Sequence, residues 1–437
     1  MADKQPKLLP LINNKAFIAS TLYAPSREVI VNWLYNQLNE SAQIEFKSQR
    51  LAALQKGQRT INELKLDGIP SDLLFGEAAL NAYLEEPEEG YYIKSPKSFL
   101  GASGLLPAQI ELFEDIAAAM MSNIKTLAEQ SLKRELEQVV IGRPINFQGL
   151  QGQESNRQAI NVLTTAAKRI GFKEVEFQYE PVAAGFEYEQ QLSQETRVLV
   201  VDIGGGTTDC SMLLMGPNLK NQLDRSEHLL AHSGLRVGGN DFDIQLAIKG
   251  LMPSFGLGSL LKNNKPMPSQ SYWQAMAINN LHEQSKFYSA ENERYLQQLK
   301  RDAQQEQLVE RLLKVQQQKL SYRLVNEAEQ GKVALSRLDN AAVDLRDISA
   351  ELSVNLSSAL MAKAIEKELA QIGQLMQQAI EQAQCQADVI FVTGGTAKSP
   401  VLKQFLQQQM PNIPIVVGDH FGSVAAGLTR WAEKIYA

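Results

Sequence analysis

The stretch Val200–Asp209, VVDIGGGTTD, places three glycines and two threonines between two aspartates, directly after an apolar run. The flanking segments Arg197–Asp202 (RVLVVD) and Cys210–Met215 (CSMLLM) are almost continuously apolar. Such runs are typical of strands buried on both faces of a sheet. A simple hairpin needs only two turn residues. The sequence therefore predicts a binding loop, GGGTT, between two core strands.

The composition of this loop fits a phosphate-bearing ligand, because glycines let backbone N–H groups approach phosphate oxygens closely and adopt unusual dihedral angles. Thr207 and Thr208 add hydroxyl donors. Asp202, at the end of the strand, can hold a hydrated magnesium ion, which prefers a carboxylate plus waters. The glycines are Gly204, Gly205 and Gly206. The structural alternative is a glycine-rich hairpin that binds nothing.

Two common phosphate-binding patterns do not describe the loop. The chain contains no GxxxxGK[ST] segment, so the loop is not a Walker loop. It also differs from the GxGxxG fingerprint of dinucleotide-binding folds, because a strand rather than a helix follows it. The loop therefore belongs to neither class.

Strands and helices alternate along the rest of the chain, which predicts an α/β fold. We predict strands at Val139–Arg143, Glu174–Gln178 and Val389–Thr393, and helices at Glu154–Gly171 and from Glu180 onward, where Pro181 suits a first turn. The last strand leads through GGTAKSP into a helix, and a glycine turn at a helix N-terminus favours anions.

The middle of the chain is different in character. Residues 292–335 are rich in glutamine and charge, with leucines at mostly three- to five-residue intervals, which predicts long amphipathic helices. The spacing keeps no strict heptad, so a helical subdomain packed on its own lobe is favoured over a coiled-coil partner site. Upstream, Gly250–Gln270 has the glycines and prolines of an exposed loop.

Length and charge narrow the function classes. A chain of 437 residues is too long for one compact core, and its net charge of -6 argues against nucleic acid as a partner. The two cysteines, Cys210 and Cys385, are far apart and indicate neither a disulfide framework nor a zinc site. The chain has no apolar leader and no run of roughly 18 apolar residues. We therefore expect a cytoplasmic protein without a membrane partner.

Five segments, in order, resemble one known family: YEPVAAG, VVDIGGGTTDCSM, VGGNDFD, AEQGKVALS and VTGGTAKSP. Together they are similar to the nucleotide-binding domain of the DnaK-like, seventy-kilodalton heat-shock chaperones, within the actin-like ATPase fold. The resemblance runs from about Tyr91 to the end of the chain. VIGRPINFQG, KSPKSFLGASG and FGSVAAGLTRWAE resemble most the short YegD-type members.

The resemblance implies an α/β, two-lobed actin-like ATPase fold with a ribonuclease H-like motif. Lobe I is expected at 1–195 and lobe II at 196–418, with a helical insert subdomain at about 245–335. Residues 419–437 are expected to form a C-terminal helix that returns to lobe I. The implied cofactors are ATP or ADP and magnesium.

The resemblance also implies residue roles. Asp202 lies near magnesium, Thr207 lies near the γ-phosphate, and Glu180 helps to position the ion and the attacking water. The remaining nucleotide-binding residues are the glycine loop with Thr208, the pair Gly238 and Gly239, the helix residues Glu329, Lys332 and Ser336, and the second loop Gly394, Gly395 and Thr396, followed by Lys398. Taken alone, Glu180 would be an acidic residue favoured by a helix N-terminus, and Glu329 with Lys332 a solvated i, i+3 pair.

Two positions depart from the family or stay open. Lys398 stands where the family commonly has an arginine that stacks on adenine, and an ammonium group does not reproduce a planar guanidinium stack. The phosphate-contacting lysine is either Lys94 or Lys97. The spacing of Lys97 to Gly101 favours Lys97, and a surface lysine is the alternative for both.

The family also has segments that this sequence does not show. Nothing before PKLLPLIN resembles the opening strand, the DxGT phosphate loop and the second strand. Without those strands the first sheet is expected to have unpaired edges, and we hypothesise that Met1 is internal to a longer natural protein. We expect AGLTRWAEKIYA to be the final helix, and the function to be carried out without a peptide-binding domain of the chain's own. Pro144 and Arg157 match positions that link lobes and client domain in the family, so a client or co-chaperone acting in trans is one expectation.

Three function classes follow. The first is a slowly hydrolysing ATPase whose lobes open and close with nucleotide. The second is a non-catalytic, nucleotide-sensing scaffold, and the third is an actin-like assembly protein. Turnover of ATP separates the first from the second, and concentration-dependent sedimentation identifies the third.

Overall fold

The computed structural model describes residues 6–12, 15–86, 90–147, 152–220, 222, 225–418 and 422–436. The strands are β1 (Thr21–Ala24), β2 (Leu74–Phe75), β3 (Tyr91–Lys94), β4 (Gln138–Arg143), β5 (Glu174–Tyr179), β6 (Thr196–Ile203), β7 (Thr208–Met215), β8 (Leu229–Leu235), β9 (Asn340–Asp344), β10 (Ser353–Ser357), β11 (Val389–Thr393) and β12 (Ile415–Val417). The α-helices are α1 (Ile30–Gln37), α2 (Glu40–Leu66), α3 (Glu77–Glu85), α4 (Pro107–Leu132), α5 (Gln153–Arg169), α6 (Glu180–Glu189), α7 (Gly239–Leu246), α8 (Gln270–Met276), α9 (Leu281–Phe287), α10 (Ala290–Asp302), α11 (Glu306–Gln317), α12 (Ser321–Ala334), α13 (Ser358–Ala364), α14 (Glu366–Ala383), α15 (Pro400–Gln409) and α16 (Gly422–Tyr436).

The C-terminal half is built on a sheet with strand order β12-β11-β6-β7-β8. β6 and β7 are antiparallel, with Ile203 opposite Thr208, so the intervening glycines form the end of a hairpin as predicted. β11 runs parallel to β6 on its other side and places Thr393 opposite Asp202. Because β6 is central, Asp202 lies where three strands end together.

The N-terminal half has two small sheets in the described residues. The first has the antiparallel order β2-β1-β3, and the second pairs β4 with β5 in parallel. Two carbonyl groups of β4 accept side-chain hydrogen bonds: Gly142 O from Lys97 Nζ at 3.2 Å and Val139 O from the Tyr436 hydroxyl at 3.2 Å. Side chains from the turn after β3 and from α16 thus reach the backbone of β4.

Separate apolar cores define two lobes. The cores around α1, α2, α4 and α5 draw their buried residues from positions 22–166, and we call this region the first lobe. The largest core draws on positions 199–406 and defines the second lobe. α6 and α16 share a further core with β6, β7 and β11, so α6 bridges the two regions. A boundary at residue 195 stays a proposal.

The glutamine-rich segment forms α10, α11 and α12. Their apolar residues are buried in the core of the second lobe, among them Leu296, Leu299, Leu312, Val315, Leu320 and Leu324. The apolar faces therefore pack within the second lobe, as the prediction of a helical subdomain requires. In the described residues they do not form an exposed coiled-coil surface.

The expectation of an exposed loop at Gly250–Gln270 is wrong for its first part. Ala247–Leu251 forms a π-helical turn and Met252–Phe255 a 3-10 turn, and Leu251, Met252 and Phe255 are fully buried. Glycine and proline mark chain turns but do not say whether the apolar residues between them are covered. Here those residues enter the core, and only the later part of the segment is largely exposed.

A close helix crossing sets the position of α6. A Cβ atom added to Gly427 of α16 would lie 1.7 Å from the carbonyl oxygen of Ala183 in α6. Glycine is therefore required for the two helix backbones to approach this closely. The crossing holds the first turn of α6, which begins at Glu180, beside β4 and the end of β6.

Candidate functional site

A cavity of about 570 Å³ lies where the two lobes meet. Its size is in the range of small-molecule sites. It is lined by many of the residues that the sequence singles out: Lys97, Glu180, Asp202, Gly204, Gly205, Gly206, Thr207, Gly239, Glu329, Lys332, Gly394, Gly395 and Thr396. These positions are spread over three hundred residues of sequence, so the fold brings them together.

The glycine loop is held by two further segments of the chain. Gly204 N–H donates to Thr207 O at 2.9 Å and closes the turn. From the start of α7, Gly239 N–H donates to Gly204 O at 2.9 Å and Asn240 N–H donates to Gly205 O at 2.7 Å. On the other side Gly394 has φ +93°, and a Cβ there would lie 2.2 Å from Ile203 O. The loop is therefore braced by contacts that need glycine.

Buried carboxylates concentrate at the floor of the cavity. Burial raises the pKa of Asp202 well above its usual value, and the nearby charges of Glu180 and Asp209 raise it further. Burial, with the charge of Glu180, raises the pKa of Asp209 to about 7, although Ile145 N–H donates to its carboxylate at 2.9 Å. A cation at this position would stabilise the ionised forms.

The donor set fits a hydrated divalent cation. In the described residues, no three His, Cys, Asp or Glu side chains form a group that could hold a metal ion by themselves. Magnesium commonly binds through one or two carboxylates and keeps several waters. Asp202, which lines the cavity together with the glycine loop, suits that mode, and the nearby carboxylate of Glu180 lines the same cavity.

Lys97 and Lys94 have different surroundings. Lys97 lies in the turn after β3 and lines the cavity, where its Nζ donates to Glu180 Oε1 and to Gly142 O. Lys94 does not line this cavity, and its Nζ pairs with Glu329 Oε2 at 2.7 Å. The geometry therefore brings Lys97, and not Lys94, to the carboxylate cluster.

The helix α12 contributes the charged wall at the other end. Lys332 Nζ pairs with Asp243 Oδ1 at 2.7 Å and donates to Gly239 O at 3.3 Å. Burial raises the pKa of Asp243 to about 6, and the charge of Lys332 counteracts it. Burial also favours a raised pKa for Glu329, but Lys94 and Lys332 outweigh it and hold that pKa below its usual value.

Four other predicted residues are outside the cavity lining. Thr208 is fully buried, and its hydroxyl donates to Val237 O at 2.7 Å. Gly238 packs behind the loop, where a Cβ would lie 2.7 Å from Gly204 O. Ser336 lines a separate cavity with Arg337, and Lys398 is exposed. A motif identifies the segment, but the direction of each side chain depends on the packing around it.

Sequence reasoning missed several lining residues. Asn240 and Asp243 belong to the quoted segment VGGNDFD but were not singled out, and Phe147, Val333 and Val424 carry no sequence signal of a binding role. The sequence did offer one signal for Asp243. It is an acidic residue in the helix that begins at the glycine pair, and so it lies near the predicted loop.

Comparisons with known proteins agree with this geometry. The family model described as Hsp70 protein matches residues 110–255. A chaperone protein DnaK of Ureaplasma urealyticum is 29% identical over 234 residues, which cover 52% of this chain and 36% of that protein. A chaperone protein HscA homolog of Aliivibrio fischeri is 24% identical over 360 residues, covering 82% of this chain and 47% of that protein.

A second HscA homolog, from Histophilus somni, is 34% identical over 133 residues, covering 30% of this chain and 19% of that protein. The chain thus matches less than half of the length of each of these relatives. The mixed helices and sheets, together with the family match, define an α/β actin-like ATPase fold. Within that class, the family match and the DnaK and HscA relatives support a DnaK-like nucleotide-binding domain of the Hsp70 type.

No helix in the described part of the chain combines the length and the apolar character needed to cross a membrane.

Proposed function

We propose that the chain binds ATP with magnesium and hydrolyses it slowly, in a chaperone-type cycle in which the lobes open and close. The observation that carries this proposal is the single cavity that joins Lys97 and Glu180 to Asp202, the glycine loop and α12. One end offers the backbone N–H groups of the glycine loop, the ammonium group of Lys97, and the carboxylates of Glu180 and Asp202. These groups suit phosphates and their metal ion. The other end, near Glu329 and Lys332, suits the nucleoside.

Roles for the chain's own groups follow from this arrangement. Asp202 holds the hydrated magnesium ion, and the backbone of Gly204–Gly206 with the Thr207 hydroxyl holds the terminal phosphate. Glu180, fixed by Lys97, orients the attacking water, and Lys97 offsets negative charge in the phosphates. Magnesium, when bound, neutralises phosphate charge. The chain's own contribution to phosphoryl transfer is therefore positioning and electrostatic stabilisation.

The other end of the cavity is proposed to hold the ribose and the base. Glu329 and Lys332 of α12 contact the ribose, and the loop Gly394–Thr396 contacts the adenine from the other side. Lys398 is exposed and lies outside the cavity lining, so the base is held without a stacked guanidinium from that position. Weaker discrimination between adenine and guanine nucleotides is the expected consequence.

The cellular setting belongs to the same proposal. A YegD-type chaperone-like protein of the cytoplasm would act on client or co-chaperone proteins in trans. The relatives named above are chaperones, which supports a client-directed role. Pro144, which lines the cavity next to β4, is the described residue best placed to transmit a nucleotide-dependent change to such a partner.

Calorimetric titration with ATP and magnesium tests the proposal. We expect micromolar or tighter binding, loss of its magnesium-dependent part in Asp202→Asn, and slow phosphate release that Glu180→Gln abolishes. Asp344→Asn is the matched control. Asp344 is an exposed carboxylate at the end of β9, pairs with Arg346, and does not line the cavity. Absence of binding to the unmodified chain would overturn the proposal. Binding without phosphate release would instead favour a nucleotide-sensing scaffold.

A further inference from the structure

Three tyrosines from the two lobes pack against one another. Tyr83 of α3 and Tyr92 of β3 belong to the first lobe and stack with ring centroids 4.6 Å apart. Tyr322 of α12 belongs to the second lobe and meets both rings edge-on, with centroids 5.5 Å from each. We call this group the tyrosine clasp. Edge-to-face and offset-stacked aromatic pairs stabilise a contact beyond the burial of their surface.

Polar bonds fix two of the three rings. The Tyr83 hydroxyl donates across the cleft to Lys319 O at 2.9 Å, and the Tyr322 hydroxyl donates to Ile278 O within the second lobe at 3.1 Å. The Tyr92 hydroxyl is buried and has no hydrogen-bond partner among the described residues. The ring of Tyr92, and not its hydroxyl, therefore supplies its part of the contact.

The clasp continues toward the nucleotide cavity. Tyr92 and Lys94 lie two residues apart on β3 and so share a face of the strand. Tyr322 and Glu329 lie seven residues apart on α12, two turns along the same side of the helix. The pair Lys94–Glu329 therefore forms a second layer of contact, 2.7 Å across, below the rings.

The same short segment reaches the carboxylate cluster. Lys97 follows β3 directly and holds Glu180. A movement of α12 away from β3 would separate Tyr322 from Tyr92 and Lys94 from Glu329, and would uncover the cavity that Lys97 lines. Burial and the neighbouring phenols raise the pKa values of Tyr83, Tyr92 and Tyr322, so the rings stay neutral at physiological pH.

We infer that the tyrosine clasp holds the second lobe's helices against the first lobe and sets how fast nucleotide leaves the cavity. The inference rests on the proposed function for its second half only. The first half concerns contact between lobes and needs no nucleotide.

The test uses the full chain and measures two quantities, the distance between the lobes and the rate at which nucleotide dissociates. Spin labels are placed on cysteines introduced at the exposed positions Gln55 and Gln307, in a Cys385→Ser background, since Cys210 is buried. Double electron-electron resonance then gives the distance distribution between lobes without nucleotide. Release of a fluorescent ADP analogue, chased with unlabelled ADP, gives the dissociation rate.

Tyr322→Ala should broaden the distances toward longer values and speed release about tenfold, as loss of two aromatic pairs would. Tyr92→Phe is the matched control and should match the unmodified chain in both measurements. Tyr83→Ala, on a different element, should act like Tyr322→Ala and serves if that variant does not fold.

Unchanged distances and unchanged release in the folded alanine variants would overturn the inference. If the unmodified chain binds no ADP analogue, the proposed function fails, and the distance distributions alone still decide whether the clasp joins the lobes. Equal effects of Tyr92→Phe and Tyr322→Ala would also overturn it, because the hydroxyl of Tyr92 has no partner to lose.

Discussion

The crossing of α6 and α16 gives the sharpest structural prediction. A Cβ at position 427 would lie 1.7 Å from Ala183 O, whereas real contacts of this kind are essentially never below 3.0 Å. The helices must therefore separate by at least about 1.3 Å, the difference of these two distances, to accept Gly427→Ala. Overpacking of this kind costs about 1 to 3 kcal/mol. The higher helix propensity of alanine returns up to ~1 kcal/mol.

Because the clash is with backbone atoms, the upper end of this range applies, and the net expectation for Gly427→Ala is a loss of about 2 kcal/mol in the free energy of unfolding. Urea unfolding followed by circular dichroism measures this loss. Since α6 starts at Glu180, a shift of about 1 Å there should also lower ATP turnover, by up to ~100-fold. Nucleotide affinity should change much less, because the glycine loop belongs to other elements.

Thr429→Ala is the matched control for this substitution. It lies on the same helix, is exposed, and loses only a hydroxyl bond to Ala425 O at 2.8 Å. It should leave stability unchanged or slightly raised. If Gly427→Ala were as stable as this control, the reasoning from the close approach of the two backbones would be refuted.

Three further outcomes are expected. Burial raises the pKa of Asp115 from 3.8 to about 6, although its pairs with Arg50 and Arg169 counteract the shift, so its ionisation lowers stability as pH rises from about 4 through 6. Asp115→Asn should remove a loss of roughly 2 kcal/mol between urea titrations at pH 4.5 and pH 7.5. Arg225→Met leaves the buried Glu189 carboxylate without the guanidinium that it pairs with at 2.8 Å, and should cost about 3 to 5 kcal/mol in chemical unfolding, whereas adding Glu189→Leu should recover much of it. Lys332→Met leaves Asp243 buried without its cation and should weaken nucleotide binding in calorimetry, while the double change with Asp243→Leu should restore stability without restoring affinity.

Local sequence signals were sufficient where the chain obeys a short-range rule. The apolar runs on either side of the glycine loop form β6 and β7, and Gly171, with φ +93°, lies just beyond the C-cap residue Ile170 of α5. The strand at Val389–Thr393 has the predicted bounds. Strand burial and helix termini depend on neighbours within a few residues, so the sequence carries them directly.

Signals that depend on distant partners were ambiguous in the sequence. Lys94 and Lys97 have similar neighbours along the chain, but the turn after β3 directs only Lys97 toward Glu180. Thr208 follows Thr207 in the same loop, yet the strand pleat turns its hydroxyl into the core, toward Val237. A period of two along a strand sends adjacent side chains to opposite faces, and only the packed sheet shows which face meets the ligand.

The sequence by itself determined the fold class, the glycine loop between two core strands and most of the segments that approach it, because apolar strands, glycine turns and helix starts are local signals. The tertiary structure alone decided which side chains share the cavity, that Asp243 pairs with Lys332, and that three tyrosines from the two lobes pack together. Those facts depend on pairs separated by up to hundreds of residues. Such pairs are specified by the packing of whole lobes, and no local pattern records them.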